Sequence, residues 1–180
     1  YKSAEGKRVY HSGYWHTDHA NRDAPPKYTT LYALELPDSG GGDTGVFNTR
    51  AGFASLSKDW QDKLEGLQTV NSFRGTSKTA QSFKVDVSDK LIDDVPVTHN
   101  LVRTHSDNGK KAIYLHQGKL QKFVGMGSNE SHDLVSEIFS LIMKPEFVYR
   151  HKWRLGDMLI WDNRQSMHQA YKDYDLKETR

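Results

Sequence analysis

The chain has 180 residues, 36% of them hydrophobic, which suits one folded domain with a real core. Lys and Arg number 25 against 23 Asp and Glu; this balance, with no clustered basic stripe, argues against a nucleic-acid partner. The absence of cysteine excludes disulfides, zinc–thiolate sites and cysteine nucleophiles and predicts a reducing, cytoplasmic compartment. No apolar run approaches the ~20 residues of a membrane span, so no membrane partner is expected.

The first half of the chain predicts a strand, a glycine-rich loop and a helix. Lys27–Leu36 is rich in Tyr, Thr and Leu and runs into PDSGGGD, which is typical of a strand entering a loop. Apolar residues recur every three or four positions over Asn48–Leu67, which predicts one amphipathic helix. The segment Thr76–Asp94 has the weakest pattern and is expected to be a mobile loop or lid.

The second half predicts a hairpin, a helix and further strands. Two short strands flank the pair Asn108-Gly109, a tight-turn signal. A helix is predicted over Ser131–Lys144, with its first residue as N-cap and Pro145 beyond its end. The remainder alternates as a strand does, turns at Leu155–Asp157 and continues in the apolar run MLIW. Many short strands with two helices predict an antiparallel β sandwich or barrel with helices outside.

The segment His16-Thr17-Asp18 raises the possibility of a metal site. Residues i and i+2 of an extended segment point to the same face, so an imidazole nitrogen and a carboxylate oxygen can aim at one point. A His-x-Asp pair with a distant histidine is the facial triad of non-haem Fe(II) oxygenases. The spacing alone leaves the third ligand open, because most histidines are solvated or hydrogen-bonded rather than ligands.

Four motifs extend this pattern over most of the chain: W-H-T-D at 15–18, G-G-D-T at 41–44, V-R-T-H at 102–105, and G-D followed by W-D-N-R-x-x-x-H at 156–168. Their combination resembles the taurine dioxygenase (TauD/TfdA) family of Fe(II)- and 2-oxoglutarate-dependent dioxygenases. The resemblance implies a mainly β fold with flanking helices, a double-stranded β-helix (jelly roll, cupin-like). It also implies a single domain over residues 1–180, recorded here as part of a longer chain.

The resemblance further implies a set of site residues. His16, Asp18 and His168 would bind Fe(II), and the Thr44 hydroxyl would contact a carboxylate of 2-oxoglutarate. Arg180 is the only arginine after His168, so it matches the arginine that holds the far carboxylate of 2-oxoglutarate. A guanidinium fork suits that task because it can bind a carboxylate through two parallel hydrogen bonds.

The family's substrate pocket maps onto Ser12, Phe73, His116 and Lys119. Lys119 stands where better-known members carry an apolar residue, which favours an anionic substrate; a solvated surface lysine is the alternative interpretation. The implied reaction uses O2 and 2-oxoglutarate to oxidise an unactivated C–H bond of a small molecule, by hydroxylation, ring closure or desaturation, and releases succinate and CO2.

Two other classes of function stay open at this point. One is a jelly-roll sensor or binding domain that keeps the metal without turnover. The other is a zinc hydrolase that uses the same two histidines and aspartate with a bound water. The sequence leaves the identity of the substrate and the oligomeric state open, a homo-oligomer included.

Overall fold

The computed structural model describes residues 13–73, 75, 95–175 and 177–178. Within these ranges the chain forms ten β-strands and three α-helices. The strands are β1 Tyr28–Tyr32, β2 Thr44–Asn48, β3 Gln68–Asn71, β4 Val97–Asn100, β5 Val102–Thr104, β6 Lys111–Ile113, β7 Leu120–Phe123, β8 Val148–His151, β9 Met158–Asp162 and β10 Ser166–Ala170. The helices are α1 Thr49–Ala54, α2 Lys58–Glu65 and α3 Ser128–Ile142, and a 3₁₀ turn covers Pro145–Phe147. The predicted mainly β architecture with flanking helices is confirmed.

All strand pairs in the described ranges are antiparallel, and most join distant parts of the sequence. The four sheets have the orders β1-β9, β10-β2-β8, β4-β3-β7 and β5-β6. In the central sheet β2 lies between β10 and β8, so that Val46 pairs with His168 on one side and with Tyr149 on the other. This sheet therefore places the glycine-rich loop beside the C-terminal strand that carries His168.

The hydrophobic core is formed by side chains from the sheets β10-β2-β8, β4-β3-β7 and β5-β6, from segments that join their strands, and from all three helices. Its buried members are Phe47, Phe53, Leu64, Leu101, Val102, Ile113, Leu115, Leu120, Phe123, Leu134, Val135, Ile138, Ile142 and Met167. Apolar burial of this kind supplies the main driving force for folding. Because Phe47 and Met167 come from β2 and β10, the core supports the sheet that carries His168 from behind.

The single helix predicted over Asn48–Leu67 was wrong, since two helices occupy this range. Asn48 caps α1 by accepting a hydrogen bond from the Ala51 amide at 3.0 Å. Ser57 caps α2 by accepting from the Trp60 amide at 3.4 Å. The apolar residues keep the same spacing across both helices and so do not reveal the break between them. The break occurs at Ser57 because a serine side chain that accepts from free backbone amides favours the start of a helix over its interior.

The predicted N-cap of the long helix was also wrong. Helix α3 begins one turn earlier, after Gly127, and Ser131 lies inside it. The Ser131 hydroxyl donates to the Gly127 carbonyl at 2.8 Å and accepts from the Phe123 amide of β7 at 2.9 Å. The serine is therefore used for a tertiary contact between helix and strand.

The remaining sequence predictions divide between hairpin, strand and loop. The hairpin around Asn108-Gly109 is confirmed, with β5 and β6 on either side and a φ of +67° at the glycine. Strand β1 ends at Tyr32, four residues short of the predicted end at Leu36, and β3 was not anticipated. The segment Thr76–Asp94 lies outside the described residues. None of the helices in the described ranges is long and apolar enough to cross a membrane.

Candidate metal centre

The structure brings His16, Asp18 and His168 together at one point. Asp18 Oδ1 lies 3.9 Å from His16 Nε2 and 3.7 Å from His168 Nε2. One ligand atom from each side chain lies within 4.8 Å of the other two. Both imidazoles are buried, and the carboxylate is partly exposed. Two nitrogens and one carboxylate oxygen in this arrangement can hold a divalent transition-metal ion.

Backbone pairing accounts for this convergence. The His16 amide donates to the His168 carbonyl at 3.0 Å, and the His168 amide donates back to the His16 carbonyl at 2.8 Å. On the other side His16 forms a second β-bridge, with His116, and the Thr17 amide donates to the Leu115 carbonyl at 3.0 Å. The segment that carries His16 is thus held between β10 and the chain before β7, so two of the candidate ligands keep a fixed separation.

The protonation of the two histidines fits metal binding. His16 Nδ1 lies 2.8 Å from the Tyr14 carbonyl, which can only accept, so Nδ1 carries the hydrogen and Nε2 keeps its lone pair. Burial lowers the pKa of His16, and burial together with the neighbouring His16 lowers the pKa of His168 to about 3. His168 Nδ1 is buried without a hydrogen-bond partner in the described part of the chain. Both imidazoles are therefore neutral at pH 7, as they must be to bind a metal ion in a site of two histidines and one carboxylate.

Thr44 lies near this centre on the neighbouring strand. It is buried and pairs with Ala170, two residues after His168, so Thr44 and His168 lie on the same face of the central sheet. The Trp153 indole N–H donates to Thr44 Oγ1 at 3.0 Å. No local pattern predicts this role of Trp153, because the contact joins residues 109 positions apart.

Three of the predicted substrate residues lie together beside His16. The His116 ring centroid is 4.9 Å from that of His16, and the Lys119 ammonium lies 4.4 Å from the Phe73 ring centroid. The Lys119 amide donates to His116 Nδ1 at 3.1 Å, which leaves the hydrogen of the neutral ring on Nε2. Burial, reinforced by the neighbouring His16 and by the charge of Lys119, keeps the pKa of His116 well below its usual value. Ser12 and Arg180 lie outside the described residues.

Comparison with known proteins places these features in one family. The sequence model of the family described as "Taurine catabolism dioxygenase TauD, TfdA family" matches residues 1–180. The chain is 32% identical over 169 residues to the alpha-ketoglutarate-dependent 2,4-dichlorophenoxyacetate dioxygenase of Cupriavidus pinatubonensis, covering 92% of this chain and 56% of that protein. It is 34% identical over 167 residues to the alpha-ketoglutarate-dependent sulfonate dioxygenase of Saccharomyces cerevisiae, covering 91% of this chain and 39% of that protein.

A solved structure shows the same fold. The crystal structure of AAD-2 in complex with Mn(II) and N-oxalylglycine matches with a TM-score of 0.76 at 30% identity, over 93% of this chain and 64% of that one. The jelly roll predicted from the sequence is thereby confirmed. The chain spans about half the length of the relatives it matches. From the match over its whole length and the shared fold, we conclude that this chain belongs to the TauD/TfdA family.

Proposed function

We propose that the protein is an Fe(II)- and 2-oxoglutarate-dependent oxygenase that oxidises an unactivated C–H bond of a small anionic substrate. The observation that carries this proposal is the convergence of His16, Asp18 and His168 within 4.8 Å in a chain of this family. Two relatives are named alpha-ketoglutarate-dependent dioxygenases, and a structural neighbour holds Mn(II) and N-oxalylglycine.

The residues of the centre have separate tasks in this proposal. Fe(II) with 2-oxoglutarate and O2 would supply the oxidising chemistry and yield succinate and CO2. His16, Asp18 and His168 would hold the ion through three ligand atoms on one side and leave the other side open for the cosubstrate. The Thr44 hydroxyl, which accepts a hydrogen bond from Trp153, would contact one carboxylate of 2-oxoglutarate, and Arg180 would bind the far carboxylate.

The substrate class follows from the groups beside His16. Lys119 supplies a positive charge, His116 Nε2–H a hydrogen-bond donor and Phe73 an apolar surface. These groups suit an organic anion, with its charge on Lys119 and its carbon skeleton towards the ring. The two relatives described above are named for anionic substrates, a phenoxyacetate and a sulfonate. Hydroxylation, ring closure and desaturation are all compatible with such a pocket. A cytoplasmic location completes the proposal and is supported by the lack of cysteine.

The metal and cosubstrate can be tested by visible absorption under anaerobic conditions. Adding Fe(II) and 2-oxoglutarate should produce the weak charge-transfer band of the chelated keto acid. The band should vanish in His168→Ala and Asp18→Ala and persist in His132→Ala, a histidine of α3 outside the centre. Its absence from folded, metal-loaded wild type would contradict the proposal and favour a zinc hydrolase or a binding domain. In air, succinate should form in the presence of a substrate.

The substrate class has its own test. We expect Lys119→Gln to leave the charge-transfer band intact and to raise the KM for organic anions about tenfold or more, because a charge-assisted hydrogen bond contributes about 1.5–3 kcal/mol. Lys122→Gln, at an exposed position on β7, is the matched control. Arylalkanoates and alkylsulfonates can be screened by substrate-triggered O2 consumption. Equal KM values in the two variants would argue against an anion site at Lys119.

A further inference from the structure

The two oxygens of the Asp18 carboxylate have different surroundings. Oδ1 faces the two imidazoles, at 3.9 Å from His16 Nε2 and 3.7 Å from His168 Nε2. Oδ2 accepts a hydrogen bond from the Thr29 hydroxyl at 2.5 Å. A hydrogen bond to an ionised carboxylate is short and strong, so this contact holds the carboxylate in one orientation.

A buried asparagine sets the direction of that hydrogen bond. Asn163 Nδ2 donates to Thr29 Oγ1 at 3.1 Å, and Asn163 Oδ1 accepts from the Asp18 amide at 3.4 Å. The opposite amide orientation would place an NH2 group against the Asp18 N–H, so the donor must face Thr29. Thr29 Oγ1 therefore accepts from Asn163 and uses its single hydrogen for Asp18.

The supporting residues belong to rigid backbone. Thr29 lies in β1 opposite Trp161 of β9, and Asn163 directly follows β9, with its amide on the Lys27 carbonyl at 3.0 Å. The Thr17 hydroxyl contacts the Asn163 carbonyl at 2.9 Å, which ties the segment before Asp18 to the same turn. The hydrogen-bond relay from Asn163 through Thr29 to Asp18 is thus anchored at both ends by paired strands, and it can impose an orientation on the carboxylate of Asp18.

We infer that Thr29 is a positioning residue that reserves Oδ2 of Asp18 and leaves only Oδ1 for the metal ion. A carboxylate can bind an ion through one oxygen or through both, and the second mode would occupy a further coordination position. By occupying Oδ2, the Thr29 hydroxyl keeps that position open for the cosubstrate and substrate chemistry of the proposed function, on whose metal centre this inference rests. Asn163 acts through Thr29 and fixes the direction of its hydroxyl.

Metal affinity without 2-oxoglutarate provides the test. Thr29→Val keeps the shape and β-branching of the side chain but removes the hydroxyl. We expect the Kd for Mn(II), measured from the electron paramagnetic resonance signal of the free ion, to rise about 10–100-fold, as for other residues that orient metal ligands. Thr29→Ser should restore the affinity to within about threefold of wild type, because it restores the donor. Thr30→Val is the matched control, since Thr30 is exposed on the opposite face of β1.

The Co(II)-loaded proteins provide a second readout, which a purely structural role would not move. Release of Oδ2 in Thr29→Val should raise the coordination number and weaken the visible ligand-field bands, while the serine variant keeps the wild-type spectrum. If valine destabilises the metal-free protein, Thr29→Ala replaces it, with the unfolding midpoint measured alongside. A Kd in Thr29→Val or Thr29→Ala within twofold of wild type, or an equal loss in the serine variant, would overturn the inference.

The same measurements separate this inference from the proposed function. If wild type binds Mn(II) but gives no charge-transfer band with Fe(II) and 2-oxoglutarate, the proposed oxygenase function fails while the Mn(II) affinities still decide the role of Thr29. If wild type binds no divalent ion, both are refuted.

Discussion

Asp162 connects two turns of the fold through ionic hydrogen bonds. Its Oδ2 accepts from His105 Nε2 at 2.9 Å and from Arg164 Nη2 at 2.5 Å, and its Oδ1 accepts from Arg164 Nε at 2.9 Å. Arg164 Nη2 also donates a hydrogen bond to Asp107 Oδ2 at 3.0 Å. This network joins the β5–β6 turn to the β9–β10 turn, which precedes the strand of His168. We predict that Asp162→Asn destabilises the protein by loosening this junction.

The size of the effect follows from the pKa of Asp162. Burial would raise this pKa, but the hydrogen bonds from Arg164 and His105 outweigh burial and lower it from 3.8 to about 2. By linkage the difference corresponds to about 2 kcal/mol, and screening by solvent reduces the expected loss to about 1–2 kcal/mol. Because the folded-state pKa is depressed, this stabilisation is complete above pH 4 and is lost as the pH falls through about 2.

Urea unfolding at several pH values measures this contribution. At pH 7, Asp162→Asn should lower the free energy of unfolding by about 1–2 kcal/mol, and the difference from wild type should narrow between pH 4 and pH 2. Asp133→Asn, at an exposed position on α3, is the control and should differ little from wild type at any pH. A deficit that stays constant down to pH 2, or one below about 0.5 kcal/mol at pH 7, would refute the assignment of stability to the ionised Asp162.

Two further predictions concern packing and buried hydrogen bonds. A Cβ at Gly52 would lie 2.7 Å from Phe47 Cζ, so Gly52→Ala should destabilise the protein by about 1–3 kcal/mol and lower its Tm. Gly66→Ala is the control and should not lower the Tm, because a Cβ at Gly66 meets no atom closer than 3.9 Å. Equal Tm values for the two variants would contradict this prediction. Ser131→Ala should lower the urea midpoint by an amount equivalent to about 1–3 kcal/mol, because it leaves the buried Phe123 amide without its 2.9 Å partner, and an unchanged midpoint would show that the amide finds another acceptor.

The sequence predicted those elements whose structure depends on interactions between neighbouring residues. The Asn108-Gly109 pair predicted the hairpin because a two-strand turn needs residues that tolerate positive φ. The alternating and apolar runs predicted strands in β8 and β9. The same local reasoning failed at Ser57 and Ser131, because a serine can cap a helix or bond to a distant strand, and its sequence neighbours do not decide which.

The sequence by itself determined the chemistry of the candidate centre: a His-x-Asp pair, a distant histidine within a family motif, and no cysteine. Only the tertiary structure decided how these groups are held. His16 is fixed by backbone bonds to His168, and the contact between Thr17 and Asn163 spans 146 positions. The relay through Thr29 likewise depends on β1 lying against β9. Such contacts depend on the pairing of strands remote in sequence, and that pairing is set by the burial of a common core rather than by any local pattern.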